Sequence, residues 1–444
     1  MIDMIFMVSI GENFRGPGAL RARGSATLPR PYLLAGTVAF LLLSAAIPLL
    51  GSDLMVSNDT PHVLSLTHLA VLGWITMVMM GALHQLFPVA LQARIFSARL
   101  GRWNFWLYAG SLSGFIPSFF FAWTPGMASF GSLLVLSVLV FIGNLLASYP
   151  SVRIWHPMAF YVLAGLIWLL LTIGLGGAYA LDWRFGWFPI TDPMVAAHAH
   201  LGLAGWLSLV LMGVSYKLMA MFSLAHGHGE RLAFWNLGIW NAGLVGLALS
   251  LWFWPTTPLV PAFALWLALS AAIFVFDMGR LLRHRRRRRF SLEQWHTFAS
   301  FASFLVAAAM GVLLAAGHPP TSNWVVAYGY VALVGWFGFS IVGKYYKIVP
   351  FLTWLQRFSA VAGAAPTPLL REMVDERLGW TSFALLVVGY GGVLAGLLGA
   401  SLPVLEGAGA GYALGALLFA CNVARLMWPR APEVPDHRPQ EVMA

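Results

Sequence analysis

Charge is what this sequence has least of. Among 444 residues only 9% are Asp, Glu, Lys or Arg, whereas 59% are hydrophobic. A soluble domain carries roughly 25% charged residues, so most of this surface has to face lipid rather than water. Cysteine is almost missing as well. Cys421 stands alone, which excludes a disulfide framework, a CxxC redox pair and a cysteine-ligated iron–sulfur cluster, and it reads as a packing residue of the last apolar run. There is no Walker motif, no Rossmann fingerprint and no membrane-embedded HExxH. A cleavable leader is not evident either, because the basic stretch 15–30 runs straight into a full-length apolar segment.

Carboxylates are scarcer than cations, 16 against 26 Lys and Arg. None falls at the centre of an apolar run; Asp277, at the end of the eighth, comes nearest. Ion-coupled transporters and pumps set Asp or Glu at depth, and their absence there argues against that class. Lys217, Lys344 and Lys347 fall near the ends of runs, where a long side chain can snorkel.

What the sequence does have is length of apolar run. A membrane-spanning helix needs about 20 mostly apolar residues, and such segments occur at 31–51, 62–90, 103–124, 127–148, 157–182, 194–222, 232–254, 257–280, 293–316, 322–351, 378–400 and 404–428. They are too long and continuous for barrel strands. The expected fold is an all-α polytopic membrane protein of about twelve spans. Residues 1–30 and 429–444 form terminal segments, and 31–428 form one membrane domain.

The net charge of +10 is distributed to one side. Arg and Lys cluster at 15–30, 94–102, 217–231, 280–289, 344–357 and 371–377, and again near Arg425, whereas the alternate connections carry only Arg184. Basic connections stay in the cytoplasm, which places both termini inside, in a membrane of the bacterial inner type. The tract RHRRRRR at 283–289 therefore reads as a topology anchor against anionic lipid, not as a nucleic-acid patch. The segment 358–377 reads as a loop that could dock a partner.

Three segments align without gaps: THLAVLGWITMVMMGALHQLFPVA (67–90), AHLGLAGWLSLVLMGVSYKLMAMF (199–222) and GYVALVGWFGFSIVGKYYKIVPFL (329–352). Gly-Trp recurs at 73–74, 205–206 and 335–336, and a further glycine at Gly81, Gly213 and Gly343. An aromatic or imidazole follows at His84, Tyr216 and Tyr346. These are the second, sixth and tenth spans, so each unit holds four. An even number of spans returns the chain to the same side, so the units are parallel repeats about an axis along the membrane normal. The repeats cover 31–148, 157–280 and 293–400, with 404–428 completing the third as its last helix; three pseudo-symmetric four-helix arcs are expected. Shared glycines fit close helix approach.

Twelve histidines are many for so apolar a chain. His62, His68, His198, His200 and His318 fall at the non-basic ends of their spans, whereas His84, His156, His226, His228, His284 and His296 fall toward the basic side, and His437 lies in the tail. His68 and His200 occupy the same repeat position, six residues before the Trp; Tyr330 holds that position in the third copy, and Tyr328 stands where the second has His198. Hydrogen bonding between helices is the plain reading. Ligation is the sharper one, because two copies of one repeat present imidazole at matched depth. Residues two apart on a helix point about 200° apart, so His198 and His200 serve two centres on opposite faces, or one ligates while the other hydrogen-bonds. His226-Gly-His228 reads as a solvated loop, and His296 as interfacial. His84 is about 24 Å along the helix from His68 and cannot share its metal. Neutral imidazole suits haem iron and copper, and 20 Trp and 31 Phe would line an apolar cofactor as well as form interface belts.

Twelve spans, a threefold four-helix plan and histidines on the second and sixth spans resemble the haem–copper oxidase subunit I superfamily, over about 31–428. The resemblance implies a low-spin haem ligand at His68 and a copper ligand at His198 or His200. The seventh span, 232–254, has no histidine where that family carries a His-His pair, and Tyr328-Gly329-Tyr330 stands in place of its His-x-His. The usual binuclear oxygen-reducing centre is thus not built. The HAHLGLAGW and FSLAHG segments are similar to the oxidase-like NnrS proteins of nitric-oxide response. The implied cofactor is a b-type haem, with copper as a second metal, clamped by His68 and His200 or His198 and flanked by Tyr328, Tyr330 and His62. The expected role lies in respiratory, nitric-oxide or copper–haem metabolism, without oxygen reduction. The alternative is a haem or copper carrier, or an assembly factor for a respiratory oxidase, with no turnover of its own. The expected surroundings are the lipid bilayer and respiratory or assembly partners, with no nucleic acid.

Overall fold

The computed structural model describes residues 27–287, 289–317, 322–359 and 367–428; His318 and His437 lie outside these. All the regular structure described is helical. Twelve long helices and one short one follow in order: α1 (Pro29–Leu49), short α2 (Gly51–Val56), α3 (Pro61–Ala90), α4 (Ala98–Phe120), α5 (Thr124–Leu146), α6 (Pro157–Phe185), α7 (Asp192–Ser223), α8 (Arg231–Phe253), α9 (Leu259–Arg283), α10 (Leu292–Ala315), α11 (Asn323–Arg357), α12 (Glu376–Leu398) and α13 (Leu402–Met427). Eleven are long and apolar enough to cross a membrane. The other long helix is α4, whose Asn104, Ser111, Ser113 and Ser118 lower its hydropathy without shortening its 23 residues. The protein is an all-α, multi-pass membrane protein.

Helix ends sit where the chain supplies caps. Thr60 and Ser97 accept from the backbone N–H groups of Val63 and Leu100, Asp375 accepts from that of Leu378, and Ser291 and Gln294 form a reciprocal box at the start of α10. Each oxygen takes a donor that the first helical turn leaves without a partner.

The threefold plan is visible in the packing. Helices α3, α7 and α11 stand at the centre, and three fully buried indoles lock them together. Trp206 Nε1 donates to Thr76 Oγ1 at 3.1 Å, and Trp336 Nε1 donates to Ser208 Oγ at 3.2 Å. The third position of the ring is Gly338, where an added Cβ would stand 2.9 Å from Trp74 Cη2. Thr76, Ser208 and Gly338 each follow their own Trp by two residues. The outer helices close a circle: α5 packs on α6, α9 on α10, and α13 on α1.

The shared glycines mark where helices touch backbone to backbone. A methyl on Gly81, Gly213 or Gly343 would lie 2.7, 2.5 or 2.7 Å from the Cβ of Tyr32, Tyr161 or His296. Small residues permit this approach, which membrane helices use where no hydrophobic effect drives them together.

Candidate functional site

Each central helix changes winding at one place. Leu69–Thr76, Leu201–Ser208 and Val331–Gly338 are π-helical. They begin immediately after His68, His200 and Tyr330, and contain the Gly-Trp pairs. π segments are rare and concentrate at functional sites, because an i→i+5 bond re-aims the side chains around it. The Leu72 carbonyl, which accepts from Met77 N–H five residues on, also accepts from the Tyr108 hydroxyl at 3.0 Å. Its repeat counterpart, Ala204, accepts from Trp240 Nε1 at 2.9 Å. Tyr108 and Trp240 thus brace the widened turns from α4 and α8. The repeat pattern locates these turns, but nothing in residue type alone announced their winding.

Beside the π segments, each crevice between neighbouring central helices brings together two repeat positions. One is six residues before a Trp, the other eight residues before the next. Between α3 and α7 the pair is His68 and His198, within electrostatic reach of each other. Between α7 and α11 it is His200 and Tyr328, rings stacked at 6.0 Å, with the Tyr328 hydroxyl 3.1 Å from His200 Nε2. The corresponding positions on α11 and α3 are Tyr330 and Leu66, both buried. His198 and His200 do face opposite ways, and it is His198 that faces His68.

The chemistry of the two imidazole crevices differs. His68 Nδ1 lies 2.8 Å from the Leu64 carbonyl. A carbonyl only accepts, so Nδ1 carries the proton and Nε2 presents a lone pair. Its ring lies flat on Phe119, centroids 4.5 Å apart. His198 Nδ1 is buried with no hydrogen-bond partner, and the ring seats on Gly176, where a Cβ would stand 2.8 Å from His198 Cε1. His200 is fixed by the same i−4 device, Nδ1 to Ala196 O at 2.7 Å, but its Nε2 already accepts from Tyr328. Tyr330 stacks on Tyr390 at 5.4 Å, and its hydroxyl has no partner. His62 stands apart: Nδ1 bonds Asp53 Oδ1 at 2.7 Å, and the ring rests on Phe120.

His68 and His198, the first with its proton fixed on Nδ1 by a backbone carbonyl, are the two imidazoles that could together hold a haem. Among the described residues no three His, Cys, Asp or Glu side chains converge as a metal site.

Several residues near the basic ends lie elsewhere than their positions suggest. Lys344 does not snorkel: it is buried against an equally buried Glu293, and Nζ also donates to Thr297 Oγ1 at 3.1 Å. His296 is wholly buried among helices at the start of α10. The His228 side chain turns in from its loop over buried Asp277, with Nε2 3.2 Å from Oδ1 but without hydrogen-bond geometry, while Tyr216 donates to Oδ2 at 3.2 Å. His226 remains exposed. Cys421 is exposed and not packed. His84 is buried, with Nδ1 on Met80 O and Nε2 unpartnered. At the start of α6 His156 accepts from Met158 N–H at 3.2 Å, and its Nε2 lies 3.3 Å from Glu230 Oε1; burial, then the nearby Lys217, outweighs that carboxylate and lowers its pKa to about 4. The loop 358–377 is described only in part; in it the Pro368 carbonyl accepts from Trp354 Nε1 at 3.1 Å.

No family model matches this chain, and no curated protein matches it.

Proposed function

We propose that the protein is a haem-binding membrane protein, related in plan to haem–copper oxidase subunit I but without its copper–haem oxygen-reducing centre. A b-type haem would be held between α3 and α7 by His68 and His198. The observation that carries this is the pairing of His68 and His198 from adjacent central helices, the first pre-set to offer Nε2 and the second with no well-formed hydrogen bond at Nδ1.

Bound there, the haem would supply one-electron chemistry. The chain's own residues hold it. Leu64 orients His68, Gly176 admits the His198 ring, and Phe115 and Phe119 exclude water around His68. Basic connections place the ligand end on the outer side, in a bacterial inner membrane with cytoplasmic termini. That position suits exchange with respiratory or nitric-oxide metabolism. A second reading, a haem or copper carrier or assembly factor serving a respiratory oxidase, draws on the small donor set: with no third convergent ligand among the described residues, copper would be held loosely.

The test is the visible spectrum of the detergent-purified protein, oxidised and dithionite-reduced, with iron and copper counted per chain. A sharp reduced α-band, with about one iron per chain, is the signature of two imidazole ligands. His68→Ala should lose the haem while His62→Ala keeps it; full haem with an unchanged spectrum in His68→Ala would overturn the proposal. Substoichiometric, readily chelated metal would favour the carrier.

A further inference from the structure

We propose that the basic end between α9 and α10 is a docking surface for anionic phospholipid headgroups. From Met278 to Leu292 the chain has no carboxylate and six described arginines, Arg280, Arg283, Arg285, Arg286, Arg287 and Arg289. The two acids that bracket this stretch face inward: Asp277 is 0% exposed beneath His228 and Tyr216, and Glu293 is 2% exposed against Lys344. Of the six, only Arg280 comes near either acid, 3.9 Å from Asp277 Oδ1. Among the described residues, the exposed Arg283, Arg286 and Arg289 face neither acid, so their positive field points outward.

Geometry fixes this field at headgroup depth. Helix α9 ends at Arg283 and α10 begins at Leu292, so the connection is only residues 284–291 and cannot leave the membrane surface. The backbone N–H groups of Arg286 and Arg287 both reach the Ser223 carbonyl at the end of α7, at 3.3 and 3.4 Å. Arg285 lies over Phe290 at 4.7 Å and donates Nη1 to Leu282 O, while its Nε is buried without a partner. Arg283, Arg286 and Arg289 are exposed. On either side, Phe276 and Trp295 present exposed rings, 60% and 45%, continuous with the apolar flanks of α9 and α10. Guanidinium groups beside lipid-facing aromatic rings match a phosphodiester headgroup with acyl chains running down the helices.

The experiment uses the full chain in nanodiscs of phosphatidylcholine doped with phosphatidylglycerol on both leaflets, which makes it independent of orientation and of the haem reading. Co-retained phosphatidylglycerol is counted by native mass spectrometry after release. R283Q/R286Q/R289Q should reduce retention about tenfold or more, R283K/R286K/R289K should preserve most of it, and R94Q/R99Q/R102Q, with the same charge removed elsewhere, should leave it unchanged. Inorganic phosphate should give no thermal shift. Equal retention in the triple Gln variant overturns the proposal, as does equal loss in the 94–102 control or a shift with phosphate alone. Binding of a DNA oligonucleotide in preference to the lipid also overturns it. If the triple Gln variant does not fold, a salt titration of the wild-type protein decides: retention insensitive to salt rejects an electrostatic headgroup site.

Discussion

Removing one partner of the Glu293–Lys344 pair should be among the most damaging single substitutions in this protein. Both side chains are nearly inaccessible, 2% and 6% exposed, and the pair has internal support from Thr297, which donates to the Glu293 carboxylate at 3.2 Å and receives Lys344. Breaking such a pair leaves a buried charge uncompensated and typically costs about 3–5 kcal/mol, whereas removing both charges is often close to neutral. Lys344→Met or Glu293→Gln alone should therefore lower the folded-to-unfolded ratio by roughly two to three and a half decades. The double variant should recover most of that loss. The assay is reversible unfolding in mixed micelles, followed by tryptophan fluorescence, with all four members of the cycle measured together. Single variants within about 1 kcal/mol of wild type, or a double variant whose loss is the sum of the singles, would refute the picture of a desolvated, mutually compensating pair.

Acid should weaken the fold through His156. Its folded pKa, about 4, lies below its unfolded value near 6.5, so its contribution is present above pH 6.5 and is lost as pH falls from about 6.5 to 4. His156→Asn keeps a capping acceptor and should flatten that part of the stability–pH profile; an unchanged profile would reject the assignment. Gly343→Ala should cost about 1–3 kcal/mol, read in the same unfolding assay. The new methyl meets the His296 Cβ at 2.7 Å and the Glu293 carbonyl at 3.1 Å, so α10 and α11 must separate.

The spans and their threefold grouping were legible because lipid demands long apolar runs and because Gly-Trp recurs in phase; observed helix ends fall within a few residues of the expected ones. The opposed facing of His198 and His200 was legible from helical geometry. Which of them meets His68 was not, since that depends on the order of the central helices around their axis and on the π turns beside them. Lys344, expected to snorkel, and Glu293 lie 51 residues apart in sequence. Only the tertiary approach of α10 to α11 shows them buried. His228 was hidden for the same reason: a glycine-rich loop gives no periodicity from which to infer that one of its side chains turns inward onto Asp277.

The circle formed by α5 on α6, α9 on α10, and α13 on α1 has a consequence for connectivity. Two of its three junctions are joined by peptide, and the third is held by contacts alone, among them Arg30 donating to the Met427 carbonyl at 3.1 Å and lying over Trp428 at 4.9 Å. The ring is therefore expected to tolerate being opened at either of the other two junctions. A gene reordered to start at α6 or α10, with the old termini tethered, would keep every helix against its present neighbours.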